Sequence, residues 1–134
     1  MRSSKLFSTF LVLVIFLCTC SKKESIVVGI WNAKWTTDPA SYPGVDPSVE
    51  FTMNGKFEFG QEGNVTISAY GHQGCIFSSD TLVHSLNWDL KNDTILNLLN
   101  ENDVHGMTYS VLNLSADKMK LQLMEDIFLD LEKI

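Results

Sequence analysis

The side chains that most often carry out chemistry fall into two small groups in this sequence. His72 and Cys75 form a His-x-x-Cys pair, and Glu101, Asp103 and His105 lie together in a short polar stretch. A zinc site needs three or four ligands, and no second Cys/His pair accompanies the first, so we expect no metal. A carboxylate beside a histidine can transfer protons, but polar loops carry such residues by chance, and no nucleophile or phosphate-binding motif is present. We therefore expect neither an enzyme nor a cofactor-binding protein.

The beginning of the chain has the features of an export signal. Arg2 and Lys5 give it a positive start, and residues 6–18 form an apolar run interrupted only by Ser8 and Thr9. This run is too short to cross a bilayer as a helix, which needs about 20 residues. Its length and flanks are those of a secretory signal.

The end of this segment resembles the signal of bacterial lipoproteins. In the string Leu17-Cys18-Thr19-Cys20, a leucine stands at the third position before a cysteine. The resemblance implies that Cys20 is diacylated through its sulfur and becomes the new N-terminus. Cys18 fits less well, because Leu17 is large for a peptidase that selects small residues. Several acyl chains would hold the protein firmly to a membrane, and Ser21 implies the outer membrane, with the face left open.

The signal divides the chain into three predicted parts. Residues 1–19 are the signal peptide, 20–25 the lipidated cysteine with a short tether, and 26–134 the folded domain. Without the signal the net charge changes from −6 to −8, with eight basic against 16 acidic residues. Such an acidic domain argues against nucleic acid as a partner. Cys75 is the only thiol beyond the anchor, and we expect it to be an inert core residue.

Polar and apolar residues alternate with period two along the domain, which predicts strands rather than helices. Short apolar runs are separated by Gly, Asn and Asp. The stretch 35–48 contains all three prolines and is predicted to be a long loop. The predicted strands span residues 26–35, 48–52, 56–60, 65–70, 81–90, 94–99, 107–113, 118–124 and 127–132.

The first predicted hairpin is centred on Asn54-Gly55. A three-residue loop, 53–55, with Gly55 in the left-handed conformation would pair Phe51 with Phe57 and Val49 with Phe59. That register places all four apolar side chains on one face, whereas a shift of one residue would invert every side chain.

The second predicted hairpin has residues 91–93 as its loop. This register places Trp88 opposite Leu96 and Leu86 opposite Leu98, so that one face is again apolar. Consecutive hairpins in a domain of this length must cover their sheet edges. We therefore predict an all-β fold, a small eight- to nine-stranded antiparallel up-and-down barrel, with a β-sandwich as the alternative.

The domain resembles the small lipocalin-like domains of bacterial lipoproteins. The resemblance rests on Gly29-Ile30-Trp31, on the sequence FTMNGKF at 51–57, and on YSVLNLSADKMKL at 109–121. It covers nearly all of residues 26–134. It implies a barrel with Trp31 packed across the closed end, and it implies a shape more than an activity.

Aromatic residues of this barrel are the candidate ligand contacts. Trp35 and Tyr42 flank the proline-rich loop at the predicted open end, and the other aromatics alternate inward. His84 has the inward parity of Trp88, and a hydrogen-bonded core histidine is the favoured interpretation. The full candidate set is Trp35, Tyr42, Phe57, Phe59, His84, Trp88 and Tyr109.

Two functions follow from these expectations. The first is a lipid-anchored envelope lipoprotein whose barrel binds a small apolar ligand. The second is a protein-interaction or inhibitor module of the cell envelope, with a filled barrel. An eight-stranded barrel is just wide enough to be filled by side chains or to hold one small ligand. Because the inward residues are large, we expect a mostly filled interior.

Overall fold

The described residues form an antiparallel barrel of eight strands. The computed structural model describes residues 23–46, 48, 51–70 and 81–134. Each strand pairs with its neighbour in the sequence, and the first also pairs with the last, so the sheet closes on itself. The strands are β1 (Gly29–Thr37), β2 (Phe51–Phe59), β3 (Asn64–Tyr70), β4 (Thr81–Lys91), β5 (Ile95–Leu99), β6 (Met107–Leu114), β7 (Lys118–Met124) and β8 (Ile127–Lys133). The closed order confirms the predicted barrel and excludes the sandwich.

Two short helical segments flank β1. A single turn of α-helix, α1 (Glu24–Val27), precedes it, and a 3-10 turn at Pro39–Ser41 follows it. The strand predicted from residue 26 therefore begins only at Gly29. At its other end β1 continues to Thr37, because Thr36 and Thr37 pair with both neighbouring strands.

The predicted hairpin at Asn54-Gly55 is wrong, because β2 runs without interruption through both residues. Two predicted strands are thus one, and Phe57 lies opposite Trp31 rather than Phe51. Gly55 does not form a turn but allows neighbouring groups to approach the backbone of β2 closely. A Cβ on Gly55 would collide with the backbone oxygen of Ser68 and would lie 2.6 Å from Cζ3 of Trp35. Gly55 therefore makes room for the Trp35 ring inside the barrel.

The β4–β5 hairpin has the predicted faces but a different register. Trp88 lies opposite Leu98, two residues further than predicted, and Leu90 opposite Leu96. Asn92 and Asp93 both have positive φ, at 51° and 60°. Asn and Asp tolerate this conformation better than most residues do, so the turn forms one position later. The shift is even, and both Trp88 and Leu98 remain inside.

The two ends of the barrel differ. The closed end carries α1 and the turns 60–63, 92–94 and 115–117, and the open end carries the described segments 38–46, 100–106 and 125–126. At the closed end, the fully buried Trp31 donates its indole N–H to the Val27 carbonyl oxygen at 2.7 Å. The Lys133 ammonium lies 4.9 Å from the centre of the Trp31 ring and donates to the Ile26 carbonyl oxygen. Trp31 thus lies at the closed end, as the resemblance implies.

Large side chains fill only the closed half of the interior. The buried residues there come from α1 and seven of the eight strands, and every buried side-chain N or O atom in the described part of the chain has a hydrogen-bond partner. The expectation of a mostly filled interior is therefore correct for one half of the barrel only. The filling residues are Val27, Trp31, Phe59, Val65, Trp88, Leu90, Leu96, Met119, Leu121, Leu129 and Leu131.

Several predictions concern residues outside the described part of the chain. They are the signal peptide, the lipidation of Cys20, and the roles of His72 and Cys75. Within the described residues, none of the helices has the length and hydrophobicity needed to span a bilayer.

We expect Gly55→Ala to lower the free energy of unfolding by about 1–3 kcal/mol, the usual cost of overpacking. The added methyl group would displace the Trp35 ring and the Ser68 backbone. Chemical denaturation measures the change, and Asn54→Ala, at the exposed neighbouring position of β2, is the matched control. Equal stability of the two variants would contradict a packing role for Gly55.

Candidate ligand-binding cavity

A cavity of about 820 Å³ occupies the open half of the barrel. Its floor is formed by inward-facing side chains of five strands, and each of these residues is largely shielded from solvent. Towards the mouth the walls become more exposed and include Phe51, Leu82 and Met107. The floor residues are Phe57, Ile67, Leu86, Leu98 and Tyr109. The cavity is therefore an apolar cup whose more exposed walls lie at the end away from Trp31.

A row of aromatic rings connects the cavity with the filled half. The ring centres of Trp35 and Phe57 are 5.6 Å apart, and those of Phe57 and Phe59 are 5.5 Å apart. Phe59 then meets Trp88 edge to face, with the centres 5.5 Å apart. Such spacings are typical of favourable aromatic pairs. Trp35 and Phe57 line the cavity, whereas Phe59 and Trp88 lie below it and support its floor.

A hydrogen bond also holds Trp88 in the core. Its indole N–H donates to the Gly60 carbonyl oxygen at 3.1 Å, which fixes the ring against the 60–63 turn. Phe59 is buried beside it. Both were predicted as ligand contacts because they face inward, but inward parity does not reveal the height of a residue along the barrel.

Tyr109 places a phenol in the apolar floor. Its hydroxyl group lies 3.8 Å from the sulfur of Met107, and only 2% of the residue is exposed. Burial raises the pKa of the phenol, and a hydrogen bond with the Trp35 side chain partly opposes this rise. The neutral phenol is thus the form that suits the cavity.

Polar side chains are grouped at one side of the mouth. The His84 ring nitrogen Nε2 lies 3.1 Å from Oδ1 of Asn100, and Nδ2 of Asn100 donates to Oδ2 of Asp103 at 2.6 Å. An amide oxygen can only accept, so His84 must donate through Nε2. All three residues line the cavity, and His105 joins them there. The prediction of a core histidine is wrong, because the outer half of β4 is exposed and His84 lies at the mouth.

Tyr42 does not line the cavity. Its side chain is exposed after the 3-10 turn, and a hydrogen bond with Asp126 raises the pKa of the phenol. The bond connects the segment 38–46 with the neighbouring 125–126 turn. Tyr42 therefore stabilises the loops at the open end rather than facing the interior.

The polar cluster singled out for acid–base chemistry is only partly assembled. Asp103 and His105 line the mouth, but Glu101 does not. In the described part of the chain no three His, Cys, Asp or Glu side chains converge in a way that could hold a metal ion.

Other lining residues were missed by the sequence interpretation. Some continue the inward alternation of strands already predicted, so the pattern contained them but gave no reason to prefer them. Others lie on the first part of β2, before the wrongly predicted turn at Asn54-Gly55, or on loops whose position depends on the closed sheet. They include Phe51, Met53, Ile67, Ala69, Leu82, Asn100, Met107, Leu123 and Ile127.

Comparison with solved structures gives the same fold. A lipocalin-like protein from Bacteroides uniformis ATCC 8492 superimposes with a TM-score of 0.51 at 18% identity, covering 81% of this chain and 99% of that one. An uncharacterized protein from Bacteroides eggerthii DSM 20697 superimposes with a TM-score of 0.50 at 16% identity, covering 80% and 98%. No protein-family model and no curated protein sequence matches the chain. The fold is therefore lipocalin-like, as expected.

We expect the phenol of Tyr109 to make stability depend on pH in alkaline solution. Because its pKa is raised in the folded protein, its stabilising effect is complete below the unfolded value of about 10 and is lost as the pH rises through the folded value. The difference in unfolding free energy between the wild type and Tyr109→Phe should decrease there. Denaturation curves between neutral and strongly alkaline pH measure it, with Tyr70→Phe, at an exposed tyrosine, as the control. A difference that stays constant with pH would contradict this.

Proposed function

We propose that this protein is a lipid-anchored envelope lipoprotein that binds a small apolar ligand in the open half of its barrel. The observation that carries the proposal is the apolar cavity of about 820 Å³ above a filled and closed base. Small-molecule sites are concave, mostly apolar and typically about 300–1,000 Å³ in volume. The cavity lies within that range and has the few polar groups at its mouth that such sites use for orientation.

The filling of the barrel favours binding over the alternative function. An interaction or inhibitor module of the predicted kind would have an interior occupied by side chains throughout. Here the open half contains a cavity instead, and the small residue Ala69 lines it from β3. A ligand would gain about 25 cal/mol for each Å² of apolar surface that it buries there. Binding, rather than catalysis, is accordingly the role we propose.

The anchor and the cavity would lie at opposite ends of the barrel. The chain enters through α1, which packs against the closed end through Val27. Cys20 precedes Glu24 by four residues, which span at most about 14 Å when extended. A lipid on Cys20 would thus keep the closed end close to the membrane surface. The mouth would then face away from the bilayer and exchange ligand with the surrounding compartment.

The anchor is tested by Cys20→Ser in the full-length chain. We expect the native protein to sediment with membranes and to enter the detergent phase in phase partitioning, because several acyl chains hold a protein firmly. The Cys20→Ser variant should be released, whereas Cys18→Ser should behave as the native protein. Release by Cys18→Ser alone would move the anchor to that residue, and membrane association of both variants would contradict an acyl anchor.

The cavity is tested by filling it. Ala69 lines the cavity from β3, and Ala69→Phe would place a ring in the ligand volume. Fluorescence titration with the neutral probe N-phenyl-1-naphthylamine should show binding by the native domain and at least about tenfold weaker binding by Ala69→Phe, a change of about 1.4 kcal/mol.

The matched control is Ala116→Phe, at an exposed position in the 115–117 turn of the closed end. It adds the same ring outside the barrel and should leave probe binding unchanged. Thermal unfolding of both variants shows whether they are folded. Equal binding by a folded Ala69→Phe, or an absence of binding by the native domain, would contradict the proposed function.

A further inference from the structure

The charges that line the cavity are unevenly distributed. Among the described lining residues, Asp103 is the only aspartate or glutamate, and no lysine or arginine is present. The remaining polar side-chain groups are one amide, three hydroxyls, the Trp35 indole N–H and the two imidazoles of His84 and His105. An anionic ligand group at this mouth would therefore leave water without gaining a permanent positive partner, which is unfavourable.

The connections around the mouth have the same bias. The described open-end segments 38–46, 100–106 and 125–126 contain six of the 16 acidic residues and none of the ten basic ones. The ion pairs found among the described residues do not involve these connections; they lie at the closed end or on the barrel wall. Among the described residues, no ion pair therefore neutralises these carboxylates, and a negative field of this kind attracts cations and repels anions.

Asp103 is placed to receive a cation at the edge of the apolar cup. Its Oδ2 accepts the amide N–H of Asn100, which is oriented in turn by His84. In the described part of the chain, Oδ1 has no side-chain donor, so it can accept a hydrogen bond from a ligand. An ammonium group at this point would lie at the edge of a cavity whose lining is otherwise mostly apolar.

We propose that the cavity selects amphiphiles with an apolar chain and a positively charged head, and discriminates against those with an anionic head. This inference rests on the proposed function and adds the class of ligand to it. The apolar chain of the ligand would lie in the cup above Phe57, and its ammonium group would pair with Asp103 at the mouth. A neutral head would bind with intermediate strength, and a carboxylate most weakly.

Three ten-carbon probes that differ in their head group test this order of binding: decylamine, decan-1-ol and decanoate, each below its micelle concentration. Their displacement of N-phenyl-1-naphthylamine is measured at neutral pH and low ionic strength. We expect decylamine to bind at least about fivefold more tightly than decanoate. This ratio is at the upper end of what one exposed ion pair contributes, and the negative charge of the surrounding loops adds to that contribution. High salt should reduce the ratio, since it screens exposed charges.

The variant Asp103→Asn keeps the shape of the side chain and removes its charge. It should reduce the amine-to-carboxylate ratio at least about twofold. The control, Asp130→Asn, removes an exposed charge that pairs with Lys120 on the outside of β8, and it should leave the ratio unchanged.

The outcomes distinguish this inference from the proposed function. Equal binding of the three probes, or tighter binding of decanoate, would overturn the head-group preference while leaving an apolar site. An amine preference that persists unchanged in Asp103→Asn would overturn the assignment to Asp103. If the naphthylamine probe does not bind to the native domain at all, both proposals fail.

Discussion

The indole of Trp31 determines how the rest of the barrel is organised. Its N–H is bound by the carbonyl oxygen of Val27, and its ring is covered by the Lys133 side chain, which also holds the Ile26 carbonyl oxygen. Three parts of the chain, α1, β1 and β8, meet at this one side chain. Because β1 and β8 are the first and last strands, the same contacts close the sheet and seal one end of it. A sealed base is what turns the remaining space into a cup.

Glycines at two positions allow this arrangement. Gly29 has a φ of 134°, and a Cβ there would lie 2.6 Å from Cε of Lys133, so the lysine reaches Trp31 across a position without a side chain. Gly55 lets the ring of Trp35 lie against the backbone of β2 instead of across the barrel axis. Side chains fill the interior of the closed half, and those of the open half leave a cavity between them. The closed half of the barrel forms the packed core, and the open half contains the proposed binding site.

The alternation of residues was sufficient to predict the barrel and most of its strands. Period two places Phe57, Tyr109 and Leu98 inside, and it does so even where the register was two residues off, because an even shift preserves the faces. It failed at Asn54-Gly55, where a strong turn signal lies in the middle of a strand. Gly55 accommodates the ring of Trp35, a contact that depends on the register in which β1 pairs with β2.

The candidate site was harder to predict for the same reason. Parity separates inside from outside, but the height of a residue along the barrel depends on register, shear and the positions of the turns. Trp35, Phe57, His84 and Tyr109 line the cavity, although His84 was expected in the core, whereas Phe59 and Trp88 belong to its support and Tyr42 to the outer loops. The polar group of His84, Asn100 and Asp103 joins a strand to a loop 16 or more residues away, which no local pattern encodes.

NMR spectra of the protein's methyl groups locate a bound ligand without any assumption about its affinity. A titration of the isotope-labelled domain with decan-1-ol should shift the methyl resonances of Ile67, Leu86 and Leu98, which line the cavity. The methyl resonances of Leu121 and Leu131, in the filled half, should stay close to their original positions. Shifts confined to exposed residues such as Leu112, or the same small shift at every methyl group, would contradict a ligand site inside the open half of the barrel.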